Sequence, residues 1–186
     1  MKAIDPAIVK KLKLPQMSQV GIVVPDIDKS VQMYADLLGI RPWYRAKIVR
    51  SDIIYKNQTI EQALDIVVGY SGSIQFELIQ VLSESENIYS DLINSKGQGL
   101  HHIGFVVSNI SRGTEFFRQS GYQPLQQGTL VTKGKATTKF VYFDTFDECG
   151  YYIELIETTL YGISVGMSRH MMKLGKLFGD VDVIAR

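Results

Sequence analysis

The chain has 186 residues, 45% of them hydrophobic and 21% charged, with a formal net charge of +1. This is the balance of an ordinary globular protein with enough apolar material for a full core, and it lacks the concentrated basic charge that nucleic acid or an anionic membrane surface requires. Cys149 is the only cysteine, which excludes an internal disulfide and a thiolate zinc cage.

Taken in chain order, residues 1–14 form an N-terminal extension whose lysines at 10, 11 and 13 read as a solvated helix face. MKAIDPAIVKK lacks the apolar stretch of a signal peptide, and no run approaches the roughly 20 apolar residues that span a bilayer, so a cytoplasmic location is expected. VGIVV (20–24) has the β-branched character of a buried strand. Pro25-Asp26 then turns the chain and offers a helix N-cap, followed by a helical pattern with Val31, Tyr34, Leu37 and Leu38 on one face and Gly39 as terminator. Residues 43–60 hold a further strand of unassigned bounds. Trp43, Tyr44 and Arg45 in it are expected to pack, with a role at a substrate mouth as the alternative. Strands are expected around 63–69 and 74–80.

IGFVV (103–107) begins a second strand–helix pattern, with Ser108 and Asn109 as caps, Phe117 on the apolar face and Gly121 as the stop. Strands around 138–144 and 151–157 follow. Lys133, Lys135 and Lys139 read as a solvated loop, and Cys149, beside Gly150 in a turn, as inert. The C-terminal extension, 159–186, carries Met167, Met171, Leu174 and Phe178 at helical spacing. Such a stripe packs on the sheets or on a second subunit, a mobile lid being the alternative, and His170 falls on the helix surface.

The two patterns are copies. QVGIVVPDIDKSVQMYADLLGIRP (19–42) aligns with HIGFVVSNISRGTEFFRQSGYQP (102–124), placing Gly21 on Gly104, Val23 on Val106 and Ile27 on Ile110. One deletion in the helix brings Gly39 onto Gly121 and Pro42 onto Pro124. SIQFELIQ (73–80) matches GYYIELIE (150–157), with Glu77 on Glu154. Each copy therefore reads as a strand, a helix and further strands ending in ELI, in modules 15–82 and 99–158.

The repeat pairs Gln19 with His102 and Glu77 with Glu154, all beside strongly apolar strands. Alternation along a strand groups Gln19 with Gly21 and Val23, groups His102 with Gly104 and Val106, and turns His101 the other way. Two carboxylates in an apolar setting repel unless protonated or neutralised, and a divalent cation neutralises both. Pseudo-twofold modules would bring the four side chains to one point. Two carboxylates, an imidazole and an amide oxygen suit zinc, nickel, cobalt or manganese. Gly21 and Gly104 are expected to allow close packing near these strands.

QVGIVVPDIDKSVQMY, FELIQ, GLHHIGFVVSNI, KFVYFDTFDECG and YYIELIE together resemble the vicinal-oxygen-chelate superfamily of glyoxalases, methylmalonyl-CoA epimerases, extradiol dioxygenases and bleomycin-resistance proteins, over residues 17–158. The resemblance implies an α+β fold of two tandem βαβββ modules with N- and C-terminal helical extensions. It places metal ligands at Gln19, Glu77, His102 and Glu154, where many relatives have histidine in place of Gln19. It also implies isomerase or lyase chemistry of the glyoxalase I or methylmalonyl-CoA epimerase kind, with an enolate or enediolate stabilised on a chelating small molecule such as a thioester or hemithioacetal. Glu154 is then the base, with Glu77 second, and the family default is a homodimer. Epimerases of this family use a further carboxylate, for which Asp65 is the candidate here. The alternatives are a non-catalytic sequestering protein of the bleomycin-resistance type and an extradiol dioxygenase, the latter disfavoured by Gln19 in place of a histidine.

Overall fold

The computed structural model describes residues 14–185, the side chain of Asp91 excepted, so the expected helix at residues 1–13 lies outside the described residues. The first repeat comprises β1 (Gln19–Val23), α1 (Ile27–Leu38), β2 (Trp43–Ala46), β3 (Ile48–Tyr55), β4 (Gln58–Ile60), β5 (Leu64–Ser71) and β6 (Ile74–Val81). After α2 (Ser90–Lys96), the second comprises β7 (Gly99–Val106), α3 (Ile110–Gln119), β8 (Pro124–Thr132), β9 (Ala136–Phe143), the short α4 (Phe146–Cys149) and β10 (Tyr152–Leu160). β11 (Ile163–Ser164), α5 (Arg169–Phe178) and β12 (Val181–Ile184) complete the chain.

One mixed sheet runs β12-β2-β5-β6-β1-β7-β10-β9-β8-β3-β4 and curls into a half-barrel. Its centre is the seam between repeats, where β1 and β7 pair antiparallel, Gln19 opposite Gly104 and Gly21 opposite His102. β6 lies parallel to β1 and β10 parallel to β7, so the two repeats mirror each other across the seam. The stretch 43–60 holds three strands rather than one. Its β2 pairs with β5 of its own repeat, but β3 pairs with β8 of the other. A single run of chain thus leaves one edge of the sheet and joins the opposite edge.

Helices α1 and α3 cover the convex face. Asp26 caps α1 by accepting from Lys29 N at 3.0 Å, and Asn109 caps α3 by accepting from Arg112 N at 2.9 Å. Ile27, Val31 and Ala35 of α1 pack on Val67, Leu78 and Trp43, while Ile110 and Phe117 of α3 pack on Val141, Phe143 and Leu155. The buried stripe of α1 follows i, i+4, i+8 from Ile27, which leaves Leu37 and Leu38 exposed and corrects their expected place in the core. Trp43 and Tyr44 are buried, whereas Arg45 ion-pairs with Asp28 and Asp65 near the surface. Lys133, Lys135, Lys139, Cys149 and His170 are exposed.

The concave face holds the remaining core. Ile66, Val68, Tyr70, Tyr44 and Val181 form one cluster, and Ile79, Tyr89, Phe140, Tyr142 and Tyr152 belong to another. α5 lies across this face, and Met172 packs on the first cluster. β12 anchors the segment by pairing with β2, and the Asp180 carboxylate accepts from Gly134 N at 2.9 Å and from the Thr132 hydroxyl. Among the described residues, no helix is long and apolar enough to cross a membrane.

Candidate metal centre

Cross-strand register places the polar residues in two neighbouring rows on the concave face. One row reads Val68, Glu77, Gly21, His102, Tyr152 across β5, β6, β1, β7 and β10. The next reads Tyr70, Gln75, Gln19, Gly104, Glu154, Tyr142. In each row a glycine sits between polar residues, and its missing side chain is what lets them meet. A Cβ on Gly21 would lie 1.8 Å from His102 Cε1, and one on Gly104 would lie 2.6 Å from Gln19 Oε1. Each repeat thus vacates the space that the other repeat's polar side chain fills.

The side chains of Gln19, Glu77 and Glu154 converge on His102 Nε2. Gln19 Oε1 is 3.2 Å from it, Glu77 Oε2 3.3 Å and Glu154 Oε2 3.2 Å. His102 is fully buried, Gln19 and Glu154 nearly so, and Glu77 sits at the margin of burial. Even a protonated Nε2 could serve at most one of these three acceptors, and Glu154 Oε2 is buried without a hydrogen-bond donor. The donor atoms of Glu77, His102 and Glu154 lie within 4.8 Å of one another. An ion with ligand bonds of about 2.0–2.2 Å separates adjacent ligands by roughly 3 Å, so this donor set fits a divalent cation in both spacing and charge.

The hydrogen bonds behind the donors fix their orientation. The Ile88 carbonyl can only accept, so His101 Nε2, 3.2 Å away, carries a proton. Burial and the neighbouring His102 hold the His101 pKa well below its ordinary value, so that ring is neutral and its Nδ1 accepts. His102 Nδ1, 3.0 Å from it, must then be the donor, which directs the Nε2 lone pair of a neutral His102 to the convergence point. On the other side, Gln19 Nε2 donates to Gln75 Oε1 at 2.7 Å, Gln75 Nε2 donates to the Tyr70 hydroxyl at 2.6 Å, and that hydroxyl donates to the Met167 carbonyl at 2.9 Å. This chain turns the oxygen of Gln19 inward.

Electrostatics follow from enclosure. Burial raises the Glu154 pKa to about 8, opposed by His102, reinforced by Glu77 and opposed by a hydrogen bond from Tyr142. Burial alone would depress His102, but Glu154 and Glu77 outweigh it and lift the imidazole above its ordinary value. Asp65 is not part of this group. Ile66 and Val68 face the concave side, so Asp65 faces the convex side, where Arg45 Nε lies 3.2 Å away. His101 departs from the expected alternation because a bulge puts Ile22 opposite Leu100 while Gly21 stays opposite His102. Both histidines therefore turn inward. Tyr142, Gln75, Tyr70 and Tyr89 also surround the centre and were not anticipated, since isolated aromatic and amide residues in apolar strands carry no local signal.

The profile of the Glyoxalase/Bleomycin resistance protein/Dioxygenase superfamily matches residues 18–143. The chain belongs to that superfamily. The uncharacterized Bacillus subtilis protein YqjC is 22% identical over 142 residues, 76% of this chain and 91% of that protein. The mitochondrial methylmalonyl-CoA epimerase of Mus musculus is 28% identical over 99 residues, 53% of this chain and 49% of the epimerase, about half its length. Among solved structures, methylmalonyl-CoA epimerase from Mycobacterium tuberculosis superposes with a TM-score of 0.58 at 20% identity, covering 80% of this chain and 91% of that one. At that identity the likeness is one of fold. The superfamily match includes Gln19, Glu77 and His102 and stops before Glu154 and the C-terminal segment.

Proposed function

We propose that this chain is a metal-dependent isomerase or lyase that moves a proton at a carbon beside an oxygen-chelating group. The observation that carries this reading is the convergence of Gln19 Oε1, Glu77 Oε2 and Glu154 Oε2 on one imidazole nitrogen, in a setting too enclosed to leave them charged and unpaired. Those four residues would hold the ion, drawn from zinc, nickel, cobalt and manganese. When bound, the ion supplies Lewis-acid stabilisation of negative charge on a substrate oxygen.

The protein's own groups supply the proton chemistry. Glu154, buried at the convergence point with one oxygen lacking a donor, is suited to take a proton from carbon and to return it. Glu77 stands at the equivalent place on the other repeat and is the second candidate base. Tyr142 and Tyr89, whose hydroxyls lie 3.1 Å apart, pack beside this pair and keep water from its inner side. The substrates this supports are a hemithioacetal, isomerised as by glyoxalase I, or an acyl thioester, epimerised as in the methylmalonyl-CoA epimerases. Exposed Met33, Leu37 and Leu38 on α1 support an apolar contact between two copies, to be checked by light scattering in solution.

The deciding experiment is metal analysis of protein purified without chelator or affinity metal, beside a Glu77→Ala/Glu154→Ala variant. About one divalent ion per chain, lost in the variant, is expected. Solvent-deuterium incorporation into candidate thioesters and hemithioacetals should then depend on the ion. Protein that takes up none of the four metals would leave a sequestering protein in place of an isomerase.

A further inference from the structure

Directly against Glu77, the concave face encloses a cavity of about 120 Å³. A smaller void of about 30 Å³, bounded by Gln19, Glu77, Glu154 and Tyr142, shares Ile66, Leu130 and Met167 with it as walls. The sheet supplies the floor, through Ile66, Val68 and Leu130, and the C-terminal segment supplies the roof, through Met167, Met171 and Met172. That roof lies outside the superfamily match, which ends at residue 143.

Two properties of the cavity limit what can occupy it. The first is charge. Among the described residues its lining contains no lysine, arginine or histidine, and its charged members, Glu77 and Asp180, are both acidic. Asp180 is already engaged by Gly134 N, at 2.9 Å, and by Thr132. An anionic substituent would be buried beside like charge with no counter-ion, whereas an aliphatic one would lose only its contact with water. The second is size. An apolar cavity of about 150 Å³ takes a benzene ring, so this one takes a slightly smaller group. Methionine walls can adjust to its outline.

The roof is also tied to the donor set. Met167, at its start, accepts through its carbonyl from Tyr70, and the same hydroxyl accepts from Gln75, which holds Gln19. Arg169 Nη2 donates to the Tyr70 carbonyl at 2.8 Å, fixing the first turn of α5 to the same residue.

We propose that the C-terminal segment, residues 165–184, is the substrate-selecting wall of this site, closing over a short, uncharged aliphatic substituent carried by the oxygen-chelating group. The selected substrates are then chelating acyl compounds with a compact alkyl tail, and those ending in a second carboxylate are discriminated against. This substrate class rests on the metal reading above; the aliphatic cavity itself does not.

The test uses the full chain labelled with 13C-methyl methionine and a series of bidentate oxygen chelators, acetohydroxamate, butyrohydroxamate, hexanohydroxamate, octanohydroxamate and succinic monohydroxamate. With the cobalt-loaded protein, followed by its visible spectrum, Kd should fall by about fourfold per added methylene up to butyryl and then level off or reverse. The succinyl compound should bind at least about tenfold more weakly than the butyryl one. Met171→Ala should move the optimum to longer chains with cobalt affinity unchanged. A Kd indifferent to chain length, equal binding of the succinyl compound, or an optimum that Met171→Ala leaves in place would each overturn the proposal. If cobalt does not bind, the metal reading and the chelating head fall, and the cavity is judged by 1-butanol and succinate added to metal-free protein. Shifts of the Met171 and Met172 methyl signals with butanol alone support the aliphatic cavity. No shift with butanol, or equal shifts with succinate, removes it.

Discussion

Gln19 and His102 occupy the same position in the two repeats, yet their surroundings lead in opposite directions. From Gln19, hydrogen bonds run along one row of the sheet through Gln75 and Tyr70 and leave the centre at the roof. From His102 they run through His101 to the Ile88 carbonyl and stay within the core. The carboxylates differ likewise, since Glu154 is buried with one oxygen lacking a donor while Glu77 borders the cavity. Backbone symmetry brings the four residues together, and the neighbours of each decide what it does there.

The largest expected effect breaks this comparison at its carboxylates. Glu154→Gln should lower kcat by about 10²–10⁴-fold, the range of a lost general base, with the far-ultraviolet spectrum unchanged. Glu77→Gln should cost less in kcat and more in metal affinity. Near-normal turnover in Glu154→Gln would move the base to the first repeat.

A second contrast lies between the two glycines. Gly21→Ala sets a Cβ 1.8 Å from the His102 ring, in the buried centre, whereas Gly104→Ala meets the flexible Gln19 side chain at 2.6 Å. The first should destabilise by about 1–3 kcal/mol and abolish metal binding; the second should do less of both, as read by thermal melts and cobalt titration. Equal effects would mean that the imidazole and the amide are held alike.

The protons sharpen the contrast further. The unfolded chain releases protons from Glu154 and His102 near their ordinary values of 4.5 and 6.5, whereas the folded, metal-free chain holds the first up to about 8 and the second above its ordinary value. Their shared stabilising contribution is complete below the ordinary values and is lost as pH rises through the folded ones. The depressed His101 opposes this below about pH 6.5, where only the unfolded chain binds its proton. Tm of metal-free protein should therefore fall between about pH 6.5 and 8, and Glu154→Gln should flatten the slope. A Tm that rises over that interval contradicts the assignment.

The smallest effects concern the supporting chains. His101→Phe should weaken metal binding by about 10–100-fold, and Tyr70→Phe by about tenfold or less, because each removes an orienting hydrogen bond without removing a donor. Nitrogen-15 chemical shifts of His102 distinguish orientation from simple packing. His101→Phe should alter the His102 tautomer, and Tyr70→Phe should leave it alone.

Much of this was legible in the sequence. The repeat gave the positions of Gln19, Glu77, His102 and Glu154, and β-branched runs gave β1, β5, β6, β7, β9 and β10 within a few residues. β8 was missed because Gln126, Gln127, Gly128 and Thr129 lack the pattern of a strand, and only pairing on both sides, with β9 and β3, makes them one. His101 was misplaced because strict alternation has no way to foresee a bulge. Asp65 was a register question, settled by which neighbours face the cavity. Helical spacing groups Leu37 and Leu38 with Val31 and Tyr34 on one face, but the helix turns Ile27, Val31 and Ala35 to the sheet and leaves the two leucines exposed.

The passage of residues 43–55 from β2 to β3 bears on how the chain can be divided. The repeat invites a cut near residues 83–98, into two halves that could be made separately or exchanged between relatives. Such a cut would strand β3, with buried Ile53 and Tyr55, on a fragment lacking its partner β8. A first half made alone would expose an apolar unpaired edge and tend to associate edge to edge. A second half made alone would lack the strand that covers its own. The repeat seen in the sequence is, in the folded molecule, tied together by a strand that one copy lends to the other.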